Sequence, residues 1–222
     1  MNTGALVDGL LLFLAFVAFV ALHEFAHAWT AERCGDDTPR LQGRLTLNPM
    51  AHADLFGTII LPLALILIGV AAGHQSPLFF GWGKPVQVNL NNFRVRRRDD
   101  ILVSAAGPAM NLVLAILLLC VMKVVELAGG DMHLVNTLLP LARLSLLLCI
   151  FNLLPVPPLD GGHIMRNLVG ISDETYMMLG RFSFMIFLLL MQSPAVSQFI
   201  SSMTEGALAI LARPFGWHLV SL

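Results

Sequence analysis

Residues 9–28 of the chain read GLLLFLAFVAFVALHEFAHA, and this stretch decides the fold. The run from Gly9 to Leu22 contains no charged residue and leads directly into His23-Glu24-Phe25-Ala26-His27. A helix needs about 20 apolar residues to cross the hydrocarbon core of a bilayer. The stretch therefore predicts a transmembrane helix at about residues 5–32, with ionisable side chains near its C-terminal end.

His23 and His27 are predicted to bind one metal ion, because residues four apart share a face of a helix. Glu24 lies beside them and is placed to accept a proton from a water molecule that the ion polarises. A five-residue match of this kind also arises by chance. Here, however, three ionisable residues lie in an apolar helix, where each is costly, and a structural role does not need them. We therefore interpret the stretch as part of a metal site.

A catalytic zinc ion takes three protein ligands and keeps one position open. The best candidate for the third ligand is Asp160, in the stretch NLLPVPPLDGG at 152–162. The prolines are expected to end the preceding helix, and Gly161 and Gly162 to let the backbone pass close to the site. An ordinary turn or helix-capping aspartate is the alternative. We favour coordination because the two histidines still need a third ligand.

The composition is that of a membrane protein, with 57% hydrophobic and 12% charged residues and a mean hydropathy of +0.79. Soluble domains carry about 25% charged residues. We predict an all-α polytopic membrane protein with about five to six transmembrane helices and short extended or re-entrant loops. It forms one membrane-embedded domain over residues 1–222, with a core at about 5–170 and C-terminal helices at 175–213. The predicted helices lie at about 5–32, 55–73, 101–122, 134–155, 175–191 and 195–212; for the last, an interfacial position stays open.

Two connections, residues 38–53 and 74–98, are rich in turn-forming residues and are predicted to be extended loops, with short strands as an open alternative. His27 and Asp160 each lie at the C-terminal end of a predicted helix, so the first and fourth helices must run parallel to share one ion. We therefore predict that helix 55–73 enters the membrane and that residues 76–84 return as extended chain packed on protein, which satisfies the backbone.

Positively charged residues mark the cytoplasmic side of short loops. They occur in loop 33–53 (Arg33, Arg40, Arg44) and in loop 74–100 (Lys84, Arg94, Arg96, Arg97, Arg98), whereas the connection 128–134 has none. The pattern predicts a multi-pass protein of the cell membrane with its N-terminus outside. Loops 33–53, 84–100 and 156–174, and with them the active site, lie towards the cytoplasm.

Taken together, HEFAH at 23–27 and NLLPVPPLDGG at 152–162 resemble the site-2 protease family of intramembrane metalloproteases. The stretches GRLTLNPMAHAD (43–54), GWGKPVQVN (81–89) and SAAGPAMNL (104–112) are similar to its compact bacterial and archaeal branch. The resemblance covers about residues 20–165. It implies hydrolysis of a transmembrane protein or peptide substrate in the lipid bilayer.

The same resemblance implies roles for single residues. It implies one zinc ion bound by His23, His27 and Asp160, with Glu24 as the catalytic base. It also implies that Asn152 lies near the site, in substrate or oxyanion binding. Independently of the resemblance, Asn111 in the third helix is a candidate for a bond to a loop or to substrate backbone.

Two other functions compete with proteolysis. A metal-ion transporter would spread acidic and histidine residues along several helices, whereas this chain concentrates them at one depth. A catalytically silent scaffold would not need every group that hydrolysis requires. The basic residues have no interleaved aromatic residues, so no nucleic-acid partner is expected. The substrate, its cleavage position and the oligomeric state stay open.

Single cysteines at positions 45 and 95, in a chain whose native cysteines are replaced, test the re-entrant arrangement. Both are expected to react with a membrane-impermeant maleimide from the cytoplasmic side only. Helix 55–73 enters the membrane and residues 76–84 return to the same side, so the chain does not cross between the two positions. A cysteine at position 131 serves as the control and should react from the outside. Labelling of positions 45 and 95 from opposite sides would reject the arrangement.

Overall fold

The computed structural model describes residues 3–73, 80–182 and 192–217, and within these ranges the chain is helical and contains no β-strand. The all-α prediction is therefore confirmed. The elements, numbered in chain order, are α1 (Thr3–Cys34), α2 (Thr38–Leu41), α3 (Leu61–Ala71, continuing a π-helical turn at Leu55–Ile60), α4 (Arg96–Leu127), α5 (Met132–Asn152), α6 (Asp160–Val169), α7 (Asp173–Arg181) and α8 (Pro194–Ala212).

Four of the described helices are long and apolar enough to cross a membrane, judged by length and composition. They are α1, α4, α5, and α8 together with the turn that follows it, Pro194–Phe215. Leu55–Ala71 is a shorter apolar helix. Of the predicted helix 175–191, α7 covers the first part, and residues 183–191 lie outside the described residues. The chain is a polytopic membrane protein, as predicted.

The prediction of an extended loop at residues 38–53 is wrong in part, because two short helical turns form there. α2 has Pro39 in its first turn, where the missing N–H of proline has no helical partner to lose. A 3-10 turn at Pro49–Ala51 follows Asn48, whose side chain accepts a hydrogen bond of 3.0 Å from the backbone N–H of Met50. Proline and a capping amide thus start turns that hydrophobic alternation does not reveal.

α4 lies at the centre of the bundle and packs against α1, α5 and α6. One buried apolar cluster joins α4, α5 and α8: Ala115, Leu119, Met122, Val135, Ala142, Leu146 and Leu208. A second cluster joins α1 to α5: Phe16, Phe19, Val20 and Leu144. Lipid tails are as apolar as these side chains, so tight packing between the helices, rather than release of water, holds the bundle together.

α1 and α5 run in the same direction, as the predicted metal site requires. Leu12, in the N-terminal half of α1, lines a cavity with His133 and Leu141 of α5. Further along both helices, Phe16 lines a second cavity with Phe151. The two C-terminal ends therefore lie at the same end of the bundle, where the sequence places the metal ligands.

Residues 80–89 form neither helix nor strand, and the part up to Lys84 packs on the start of the Leu55–Ala71 helix. The backbone N–H of Trp82 donates to the carbonyl of Gly57 (3.1 Å), and the N–H of Lys84 donates to that of His52 (2.8 Å). The hydroxyl of Thr58 donates to the Trp82 carbonyl (2.7 Å). Of the predicted return over 76–84, residues 80–84 lack regular secondary structure and pack on protein, and residues 76–79 lie outside the described residues.

Gly57 allows this close packing, because a Cβ atom at this position would lie 2.2 Å from the Trp82 indole. We expect Gly57→Ala to lower the free energy of unfolding by about 1–3 kcal/mol through overpacking, measured by thermal unfolding in detergent. Gly206→Ala in α8 is the control, because nothing lies within 4 Å of its Cβ position. The double variant with Trp82→Ala should regain part of the loss. A Gly57→Ala chain that unfolds at the wild-type temperature would contradict this packing.

Candidate metal centre

The side chains of His23, His27 and Asp160 meet inside the bundle. One donor atom from each lies within 4.8 Å of the other two. The two Nε2 atoms are 3.0 Å apart, and Asp160 places Oδ2 3.2 Å from Nε2 of His23 and Oδ1 3.4 Å from Nε2 of His27. The structure therefore brings together the three residues predicted as ligands, although Asp160 is more than 130 positions from either histidine along the chain.

The spacing of these donors fits a zinc ion. A tetrahedral zinc site with bonds of about 2.0–2.1 Å separates its ligand atoms by about 3.3 Å. The observed separations of 3.0, 3.2 and 3.4 Å lie close to that value. Two imidazoles and one carboxylate are also a donor set that zinc takes in catalytic sites, where the fourth position stays open.

α4 fixes the orientation of both imidazoles. Nδ1 of His27 lies 2.7 Å from the carbonyl oxygen of Val103. Because a carbonyl only accepts, Nδ1 carries the hydrogen, and in the neutral ring Nε2 presents its lone pair to the cluster. On the other ring, Nδ1 of His23 contacts the side-chain amide of Asn111 at 3.0 Å. In each ring α4 therefore holds Nδ1, and Nε2 is left to bind an ion.

Gly107 provides the space in which the ligands meet. A Cβ atom at this position would lie 2.3 Å from Nε2 of His27 and 2.5 Å from Nε2 of His23. Any side chain here would therefore enter the space between the imidazoles. The α4 helix continues through Pro108, which follows directly.

Asp160 reaches the site because the chain turns sharply between α5 and α6. α5 ends at Asn152, and Asp160 is the first residue of α6. Cβ atoms at Gly161 and Gly162 would lie 2.2 Å from the carbonyl oxygen of Leu153 and 2.8 Å from the nitrogen of Pro157. The paired glycines thus let α6 start against the preceding loop.

The carboxyl group of Asp160 faces both imidazoles. Its oxygens lie 3.2 Å from Nε2 of His23 and 3.4 Å from Nε2 of His27. An ionised carboxylate is the form that binds a metal ion.

Glu24 is 9% exposed, and residues 80–86 pass beside its side chain. Its Oε2 accepts a hydrogen bond of 2.8 Å from the backbone N–H of Val86. A Cβ atom at Gly83 would lie 3.6 Å from the other oxygen, Oε1. The segment that folds back over residues 80–86 therefore passes directly beside this carboxylate.

The two asparagines predicted to contact substrate have different surroundings. Asn111 is 1% exposed and contacts His23. Asn152 is half-buried at the end of α5, where its Nδ2 donates to the carbonyl of Leu148 (2.8 Å). The Asn111 amide thus lies against a predicted ligand, whereas the Asn152 amide lies at the helix end.

Sequence reasoning missed the groups that hold the site. The roles of Val103 and Val86 come from backbone atoms, so residue type gives no signal for them. The role of α4 has a signal: Asp100, Gly107 and Asn111 are polar or small, and they recur on one side of an apolar helix. That pattern marks a face turned towards other polar groups.

The chain matches known proteins over most of its length. The sequence pattern of peptidase family M50 matches residues 11–129 and 126–191. YwhC of Bacillus subtilis, which carries the provisional name of a zinc metalloprotease, is 38% identical over 82% of this chain and 80% of its own length.

Two mycobacterial proteins called Rip2 carry the same provisional name. The Mycolicibacterium smegmatis protein is 32% identical over 85% of this chain and 69% of its own length. The Mycobacterium tuberculosis protein is 38% identical over 64% of this chain and 51% of its own length. No solved structure gives a significant match.

Gly107→Ala is expected to prevent metal binding, because the added methyl group occupies the space between the two imidazoles. Zinc content measured on the purified protein should fall from about one ion per chain to nearly none. The helical control Gly206→Ala, with open space around its Cβ position, should keep its zinc. Full zinc content in the Gly107→Ala protein would show that the ion does not bind where these imidazoles face each other.

Proposed function

This chain belongs to peptidase family M50, and we propose that it is an intramembrane zinc metalloprotease that hydrolyses peptide bonds of membrane-spanning proteins. The observation that carries the proposal is the meeting of His23, His27 and Asp160 at ligand distances, with Glu24 next to them in α1. Ionisable groups inside a membrane are costly and usually serve function. A ligand set with an adjacent carboxylate serves hydrolysis better than transport of the ion.

The site residues divide the chemistry between them. His23, His27 and Asp160 hold the ion, and Glu24 takes the proton from the attacking water and passes it to the leaving amine. When bound, zinc acts as a Lewis acid that polarises the water and the scissile carbonyl. The Val86 N–H occupies one oxygen of Glu24 and fixes its side chain, which leaves the other oxygen for the water proton.

Asn152 is our candidate for contact with the substrate. A side-chain amide has two N–H hydrogens, and only one is needed for the bond of 2.8 Å to Leu148. The second is available to donate to a substrate carbonyl as negative charge develops on its oxygen. We assign Asn152 this role ahead of Asn111, which is buried against His23.

The segment after Lys84 is the proposed substrate platform. Residues 85–89 are partly exposed and lack regular structure, and Val86 lies beside Glu24. A substrate helix must unwind to expose its scissile bond, and an extended peptide gains backbone hydrogen bonds by pairing with another extended segment. A peptide paired here would lie next to the catalytic carboxylate.

We further propose that the whole chain acts as one membrane-embedded domain with its N-terminus outside and the active site towards the cytoplasm. Arg44 and Lys84 are basic residues at the active-site end, and the Arg44 side chain donates to the carbonyls of Ala51 and Lys84. Basic residues in short loops favour the cytoplasmic side.

Glu24→Gln separates metal binding from catalysis. The amide keeps the shape of the side chain but cannot take a proton, so we expect unchanged zinc content and a cleavage rate lowered by about 10²- to 10⁴-fold. The assay uses the purified protein with single-span membrane proteins as candidate substrates, and cleavage is followed by mass spectrometry of the products.

Glu32→Gln is the matched control, because Glu32 lies on the same helix and pairs with Arg40 at 3.3 Å, away from the ligands. It should cleave at the wild-type rate. A Glu24→Gln protein that retains zinc and cleaves as fast as the control would refute the proposed role of Glu24. A wild-type chain that moves zinc across vesicles but cleaves nothing would support transport instead.

A further inference from the structure

We propose that one face of α4 is the template that positions all three metal ligands, and that Asn111 and Asp100 are positioning residues for His23 and Asp160. The proposal rests on the proposed zinc site. It assigns to Asn111 a function different from substrate contact, and it gives Asp100 a function that its sequence position alone does not suggest.

The template consists of Asp100, Val103, Gly107 and Asn111. Their spacings of three and four residues place them on one face of the helix. All four are buried, with Asp100 and Asn111 each 1% exposed. Within this face, the Val103 carbonyl holds the ring of His27, and Gly107 leaves the space for the ion. The two remaining ligands, His23 and Asp160, are positioned from the two ends of the face.

Asn111 lies at one end of the template and contacts His23. Its amide nitrogen is 3.0 Å from Nδ1 of His23, and its Oδ1 has no hydrogen-bond partner among the described residues. Rotating the Asn111 amide by 180° exchanges its Nδ2 and Oδ1 atoms. Oδ1 then accepts a hydrogen bond from Nδ1–H of His23. Nε2 then presents its lone pair to the ion, as it does in His27.

The backbone around Asn111 is also fixed. The Asn111 carbonyl accepts a hydrogen bond of 2.7 Å from the hydroxyl of Ser145 in α5, and Ser145 is fully buried. This bond ties α4 to α5 at the level of His23. Both α4 and α5 therefore hold the backbone from which the Asn111 side-chain amide reaches His23.

Asp100 lies at the other end of the template and holds α6. Its Oδ2 accepts hydrogen bonds from the guanidinium of Arg166 and from the side-chain amide of Asn167, the latter at 2.5 Å. Arg166 is 7% exposed, so this ion pair is buried. Asp160 is the first residue of the same ten-residue helix. Anchoring α6 at Arg166 therefore fixes where the ligand carboxylate lies.

Arg166 is held from its other side as well. It lies 3.3 Å from Asp173 at the start of α7, and its guanidinium stacks 4.9 Å from the centre of the Tyr176 ring. Asp100 is the buried partner of this guanidinium, whereas the Asp173 side chain is partly exposed, and a buried charge that loses a buried partner is destabilised. Loss of the Asp100 charge should therefore shift α6 and, with it, Asp160.

The test for Asn111 uses the full chain in detergent and two measurements other than activity. The first is zinc affinity, measured by competition with a chelator. The second is the visible absorption spectrum of the Co²⁺-substituted protein, which reports ligand geometry. Asn111→Leu should weaken zinc binding about 10- to 100-fold and change the spectrum. Asn111→Asp, which can only accept, should keep both near wild type.

Asn136→Leu is the matched control, because Asn136 lies on α5 in the cavity lined by Leu12 and His133, away from the ligands. It should bind zinc as the wild type does. If Asn111→Leu fails to fold, Asn111→Ala is measured instead. Wild-type affinity and spectrum in Asn111→Leu or Asn111→Ala would overturn the proposal, and so would loss of zinc in Asn111→Asp, because the amide would then act as a donor.

Asp100→Asn tests the other end of the template. It should weaken zinc binding about 10-fold or more and alter the Co²⁺ spectrum, whereas Arg166→Lys, which keeps the charge, should have a smaller effect. Unchanged affinity and spectrum in Asp100→Asn would overturn this half of the proposal. A wild-type chain that binds no zinc would remove the proposed function itself, whereas failure of the Asn111 and Asp100 variants alone leaves that function standing.

Discussion

Two imidazoles and a carboxylate that face each other inside a lipid-embedded bundle are the constraint on which the rest of the structure depends. Polar groups in such surroundings are expensive unless they are paired. The separations of 3.0–3.4 Å among His23, His27 and Asp160 bring lone pairs close together, and a cation among them makes this arrangement favourable. The site therefore has to be held in place by the protein around it.

Close approach of backbones meets this requirement. Gly107 lets α4 lie against both imidazoles, and Gly161 and Gly162 let α6 start directly on the loop before it. In a membrane, small residues and hydrogen bonds between helices replace the hydrophobic effect as the source of helix association. The same features that pack the helices thus bring the three predicted ligands within reach of one another.

Much of the site was predictable, because its chemistry is carried by side chains in recognisable spacing. The two histidines share a helix face, and Asp160 follows a proline-rich break where a helix has to end. The parallel course of the first and fourth predicted helices followed from the same requirement. The two short turns at Thr38–Leu41 and Pro49–Ala51 were missed because single prolines and capping side chains start them. The bonds from Val103 and Val86 were missed because they come from the main chain.

The contact between Val86 and Glu24 has a consequence for how mutations at this position are to be understood. The donor is a peptide N–H, which every residue except proline supplies. This contact therefore depends on the path of the backbone and not on which amino acid occupies position 86. Position 86 can therefore vary widely in a library of variants while the contact persists, and a screen that counts tolerated substitutions would class a neighbour of the proposed catalytic carboxylate, Glu24, as unimportant.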